Sequence, residues 1–257
     1  MTKRALKRMV REGEFNPGQF DDDGGKVRRL PLERGWSPLG SNSNDDGREQ
    51  GYLKTIKAKS EGQTELIKAI DDANLVMALG PAGTGKTYLA IAKAVEALEA
   101  GKVGRIVLSR PAVEAGESIG FLPGEMEDKL APYLRPLYDA LSDRLSMKRV
   151  RALMAEGAIE IAPVGFMRGR TLNNAFVVID EAQNCTYVQL KMLLTRLGWH
   201  STMVITGDPN QSDLLPGISG FGDVADRLES VAGISVVRLK DVDIVRHPLV
   251  ASMLGVL

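Results

Sequence analysis

Gly80-Pro81-Ala82-Gly83-Thr84-Gly85-Lys86-Thr87 forms a complete G-x-x-x-x-G-K-[ST] string, directly after the apolar run Leu75-Val76-Met77-Ala78-Leu79. The chemistry of such a string is phosphate holding. Glycines let the chain curl so that consecutive backbone N–H groups point inward as an anion nest. A helix starting at the lysine adds its positive end. Lys86 is expected to reach the β- and γ-phosphates of a nucleoside triphosphate, and the Thr87 hydroxyl to ligate Mg²⁺. A second string, Phe176-Val177-Val178-Ile179-Asp180-Glu181-Ala182-Gln183, is an apolar strand ending in two acids. Asp180 is expected to hold Mg²⁺ through water, and Glu181 to polarise an attacking water as general base. About ninety residues separate the two strings, and their strands are expected to lie side by side in a parallel sheet. A third string, Val204-Ile205-Thr206-Gly207-Asp208-Pro209-Asn210-Gln211, is a buried strand opening into a polar turn. There Gln211 is placed to sense a γ-phosphate or its attacking water.

The elements that must position these groups alternate along the chain. Apolar runs predict strands at 75–79, 105–109, 158–161, 176–180, 202–206 and 234–239. Helical spacing predicts helices at 61–71, 86–99, 125–145, 147–155, 187–197 and 218–230, with a short one at the C-terminus. Val-, Ile- and Leu-rich strands without alternation imply a mostly parallel sheet covered on both faces, an α/β three-layer fold. Thr186 and Gln189 match a capping box, with Gly198 closing that helix. The 257 residues are 44% hydrophobic, with one cysteine, two histidines and a formal net charge of zero. This excludes a disulfide framework and a Cys/His zinc site, and it leaves nucleic-acid contact to local basic patches. Neither a membrane span nor a signal peptide is apparent, so a reducing cytoplasm is the expected compartment and Cys185 is expected to pack rather than react.

Residues 1–51 differ from the rest. A basic arm (Lys3, Arg4, Lys7, Arg8 and Arg11) is either a phosphate contact or a solvated terminus. A Gly-, Asp-, Ser- and Asn-rich stretch follows, with too little apolar material to offset ordering entropy, and the extension is expected to be largely disordered. Residues 52–257 are expected to form one P-loop NTPase domain.

The three strings, in this order, resemble the first motor domain of superfamily 1 helicases. A closer resemblance is to the PhoH family of ATP-binding proteins, over roughly residues 52–250. It is carried by Ser109-Arg110-Pro111, Gly120-Phe121-Leu122-Pro123-Gly124, Pro132-Tyr133-Leu134-Arg135-Pro136, Met167-Arg168-Gly169-Arg170-Thr171, Asp180-Glu181-Ala182-Gln183-Asn184, Leu194-Thr195-Arg196, Gly207-Asp208 and Val245-Arg246-His247. The resemblance implies a P-loop NTPase fold of RecA/helicase type, ATP and Mg²⁺ as cofactors, ATPase activity and a hexameric ring. It also implies that Gln63, seventeen residues before Gly80, reads adenine. Some relatives carry an added ribonuclease-like or RNA-binding domain, for which this chain has no room. A nuclease or ribosome-associated protein would then be a separate partner.

Only about forty-five residues follow Gln211, too few for a second motor domain. The arginine that steadies phosphoryl transfer is therefore expected from a neighbouring copy, with Arg246 first among Arg246, Arg168, Arg170 and Arg196. Phe166-Met167-Arg168-Gly169-Arg170 places an aromatic beside two arginines and suits either a single-strand-binding pore loop or a subunit contact. Two functions follow: a motor acting on RNA or single-stranded nucleic acid, or a nucleotide-controlled switch that captures a protein partner. A small-molecule kinase is less favoured, since no acceptor-binding lid is recognisable.

Overall fold

Leu75–Leu79 is buried along its whole length, as is Ala175–Ile179, because both are uninterrupted apolar runs that water-facing strands cannot tolerate. They belong to a computed structural model that describes residues 56–111, 126–215 and 217–245, with the backbone alone for 126–132. The elements in chain order are α1 (Glu61–Asp72), β1 (Leu75–Leu79), α2 (Lys86–Glu99), β2 (Arg105–Arg110), α3 (Met126–Ser142) and α4 (Met147–Ala155). Then come β3 (Ile159–Pro163), β4 (Ala175–Ile179), α5 (Tyr187–Leu194), β5 (Thr202–Gly207), α6 (Phe221–Leu228) and β6 (Ile234–Arg238). The predicted 1–51 extension, the C-terminal helix, Arg246 and the Gly120–Gly124 string lie outside the described residues.

The six strands form one sheet in the order β3-β2-β4-β5-β1-β6, and every pairing is parallel. One face carries Val76, Ala78, Ile106, Leu108, Phe176, Val178 and Val204 under α1, α2, α3 and α4. The other carries Met77, Val107, Val177, Ile179, Met203 and Ile205 under α5 and α6. Each Val, Leu, Ile, Met or Phe among them contributes roughly 1.5–3 kcal/mol by leaving water.

One expectation is corrected by this order. The strand ending in Asp180 does not lie beside the strand that enters the phosphate-binding loop, because β5 runs between them. The two motifs meet above β5, by way of the first turn of α2.

Local signals set the helix starts. Ser60 caps α1 by accepting from Gln63 N–H, Ser146 caps α4 from Arg149 N–H, and Thr186 with Gln189 completes the capping box of α5. The helix ends are less faithful to the pattern. Helix α5 stops at Leu194 rather than 197, since Leu172 N–H donates to Arg196 O and draws the chain out of the helix. Helix α6 begins at Phe221 rather than 218, because Ser219 pairs with Thr186 and Gly220 lies against Tyr187. Helix α3 ends at Ser142, and Leu145 N–H still bonds to Leu141 O in the turn beyond.

Candidate active site

In a parallel sheet the carboxyl ends of the strands share one edge, and ligands bind in the crevice there. Gly80 to Gly85, Arg110, Asp180 and Asp208 all lie at that edge, each following or ending a strand. Gly80, Gly83 and Gly85 have φ of 143°, 85° and 85°, the left-handed side that lets the loop turn its N–H groups inward. Gly80 is also pressed so close to Leu239 that a Cβ would sit 2.5 Å from its carbonyl oxygen. Gly85 caps α2 with no side-chain acceptor, which leaves the N–H groups of the first helical turn available to an anion.

Lys86 is 8% exposed, and its ammonium donates to Gly80 O at 2.6 Å and Pro81 O at 2.8 Å. Burial pulls its pKa below the usual lysine value, against the upward influence of Asp208, Glu181 and Asp180. Thr87 Oγ1 donates to Asp180 Oδ1 at 2.5 Å, so the two predicted metal-holding groups are in contact. The same Oδ1 accepts from Thr206 Oγ1 at 2.9 Å, and Asp180 N–H donates to Ser109 O at 2.8 Å.

Glu181 adopts φ 53°, ψ 41°, a conformation that costs a non-glycine residue on the order of 1–3 kcal/mol and is found mostly at functional sites. Its carboxylate receives Gln183 Nε2 at 2.5 Å and faces Arg110 at 3.4 Å. Gln183 also accepts from Asp208 N–H at 3.1 Å and donates to Gln211 O at 3.4 Å. Gly207 makes this possible, because a Cβ there would lie 2.6 Å from Gln183 Oε1. Asp208 closes its own turn by accepting from Asn210 N–H at 3.0 Å. Gln211 itself is exposed, with its backbone rather than its side chain tied to the cluster.

Gln63 is brought to the loop but held there by protein groups. Its amide donates to Thr84 O at 3.0 Å and accepts from Lys59 N–H at 2.8 Å, which leaves one N–H and one lone pair for a base. The segment after β6 fastens the same region. The Asp243 carboxylate accepts from Lys240 N–H at 2.8 Å and Gly62 N–H at 3.1 Å; these bonds and one from Ser60 hold it below the usual carboxylate range. Val245 N–H donates to Gly83 O at 2.9 Å.

Of the arginines expected to act on a neighbour, Arg170 forms a two-point ion pair with Glu160 at 2.5 and 2.6 Å. Arg196 donates to Met192 O and Arg170 O. Arg168 and Phe166 are exposed, Phe166 by 60%. Sequence reasoning placed Arg110, Gln183 and Asp208 only within the strings that carry the family resemblance, without individual roles, and gave Thr206 no role. The available signal was polar groups at the ends of otherwise apolar strands: Thr206 within Val204-Ile205-Thr206, and Arg110 closing Leu108-Ser109-Arg110.

This all-parallel sheet and glycine-rich loop define the core fold of P-loop NTPases. The chain belongs to the PhoH family, whose model, described as PhoH-like protein, matches residues 55–257. It is 54% identical over 202 residues to the PhoH-like protein of Bacillus subtilis (strain 168), covering 78% of this chain and 63% of that one. It is 40% identical over 250 residues to Protein PhoH of Escherichia coli (strain K12), covering 96% and 69% respectively. The chain thus spans about three fifths of the length of the Bacillus relative. Among solved structures it is similar to the large terminase of a thermophilic bacteriophage (TM-score 0.45, 12% identity, 76% of this chain and 49% of that chain). It is also similar to the Sulfolobus solfataricus SWI2/SNF2 ATPase core in complex with dsDNA (TM-score 0.44, 16% identity, 74% and 46%). No helix among the described residues is long and apolar enough to cross a membrane.

Proposed function

We propose that the protein binds ATP with Mg²⁺ and hydrolyses it within a ring of identical subunits, a hexamer, that acts on RNA or another single strand. The observation carrying the hydrolytic part is the 2.5 Å contact between Thr87 and Asp180, which brings the loop hydroxyl and the strand-end acid to one point. One hydroxyl and one carboxylate are the hard-oxygen set that suits Mg²⁺, a cation that takes few protein ligands and completes its shell with phosphate oxygens and water. When bound, the cation neutralises charge on the phosphates. Thr87 and Asp180 would hold it. Lys86 and the loop N–H groups orient the triphosphate. Glu181, aimed by Gln183 and Arg110, takes the proton of the attacking water.

Oligomerisation follows from the need for a further cation at the transferring phosphoryl group. Arg170 and Arg196 have intramolecular partners, which favours Arg246 or the exposed Arg168 as the residue supplied by a neighbour. The nucleic-acid part rests on Phe166 beside Arg168, a stacking surface next to a guanidinium. The test is ATP turnover with and without single-stranded RNA and DNA, alongside the size of the assembly in solution. Stimulation by single strands supports the motor. Turnover indifferent to nucleic acid replaces it with a nucleotide-controlled switch that recruits a protein such as a nuclease or ribosome-associated factor. Mixing Arg246→Ala with Asp180→Asn subunits should restore turnover where both intact elements meet at an interface, and failure to do so removes Arg246 from the role.

A further inference from the structure

Arg110 ends β2, next to β4 in the sheet, and its guanidinium spans the two acids at the end of β4. One nitrogen lies 3.6 Å from Asp180 Oδ2 and the other 3.4 Å from Glu181 Oε1. Those distances are long for arginine–carboxylate contacts, which close to about 2.7–2.9 Å when tight. The same protein makes a tight one, between Arg170 and Glu160 at 2.5 and 2.6 Å. Arg110 is therefore shared between two carboxylates and locked to neither. The carboxylate oxygens of Asp180 are also divided. Two hydroxyls, from Thr87 and Thr206, approach Oδ1, and Oδ2 faces the arginine. Oδ2 thus faces a cation at 3.6 Å rather than in a tight pair.

We infer that Arg110 is a positioning residue that gives way to the divalent cation: it yields Asp180 as the metal arrives and settles on Glu181, so that metal arrival also aims the general base. The inference rests on the proposed ATPase reading. The electrostatics give it a sign. A guanidinium near Asp180 opposes a second cation there, and its removal strengthens metal binding. The same removal leaves Glu181 with Gln183 alone to orient it, and turnover falls. A residue that merely supported the fold would weaken both properties together.

The test uses the full chain and the variants Arg110→Met, which keeps an apolar stem, and Arg110→Lys. Mn²⁺ binding to the nucleotide-loaded protein is followed by electron paramagnetic resonance, and turnover is measured as a function of Mg²⁺. Arg110→Met should bind Mn²⁺ about fivefold more tightly while kcat drops at least about tenfold, and Arg110→Lys should recover part of kcat. Unchanged or weaker Mn²⁺ binding in Arg110→Met, with wild-type turnover intact, overturns the role of Arg110 alone. A wild-type protein that binds nucleotide but shows no Mg²⁺-dependent turnover overturns the ATPase reading with it.

Discussion

The side-chain oxygen of Gln183 accepts the backbone N–H of Asp208 at 3.1 Å, joining the loop after β4 to the loop after β5 through a single amide. The other end of that amide donates to Glu181, so the position of the proposed general base is set by a strand to which it does not belong. Gln183→Ala should therefore lower kcat by about 10–100-fold, the scale of a misplaced catalytic group, with ATP affinity within about threefold of wild type. Steady-state turnover and equilibrium binding of a fluorescent ATP analogue check the split.

Thr206 is fully buried and donates to the carboxylate oxygen that Thr87 also contacts. Thr206→Val keeps the branched shape but removes the hydroxyl. It should cost about 1–3 kcal/mol of stability in urea unfolding, since Asp180 loses a charge-assisted donor inside the sheet edge.

Lys86 gives up its proton below the ordinary lysine value of 10.5 because it is buried. Between its folded value and 10.5 the unfolded chain holds more protons, so stability of the free protein rises with pH in that alkaline window. ATP affinity moves the opposite way, because the phosphates need the ammonium. Thermal unfolding and ATP binding measured from about pH 7 upward should thus diverge, and Lys86→Met should remove both slopes.

Cys185 is fully buried, and burial pushes its thiol up to about 12. At about pH 8 its thiolate population is about a thousandfold below that of an unperturbed cysteine. A thiol-reactive dye should label the native protein far more slowly than the unfolded chain, with the label appearing as urea unfolds it.

The sequence announced the parallel sheet because its strands are unbroken Val, Ile and Leu runs, and it announced the loop because Gly80 to Thr87 has little other use. Strand order was less legible. Nothing local to Asp180 says that β5 separates it from β1, since that depends on where the crossover helices pack. Helix ends were missed where tertiary bonds drew the chain away, as Leu172 does at Arg196. The supporting residues were hardest to see. Thr206 and Arg110 reach acids 26 and 71 positions away, and Gln183, though only two positions from Glu181, is anchored by Asp208 25 positions on; no spacing rule spans such gaps.

The most direct measurement is a comparison of wild type with Glu181→Gln, which leaves the loop, Thr87 and Asp180 in place. The mutant should bind ATP within about threefold of wild type while its turnover falls by about 10²–10⁴-fold. Hydrolysis by Glu181→Gln at the wild-type rate would contradict the assignment of this acid pair as the centre of the chemistry.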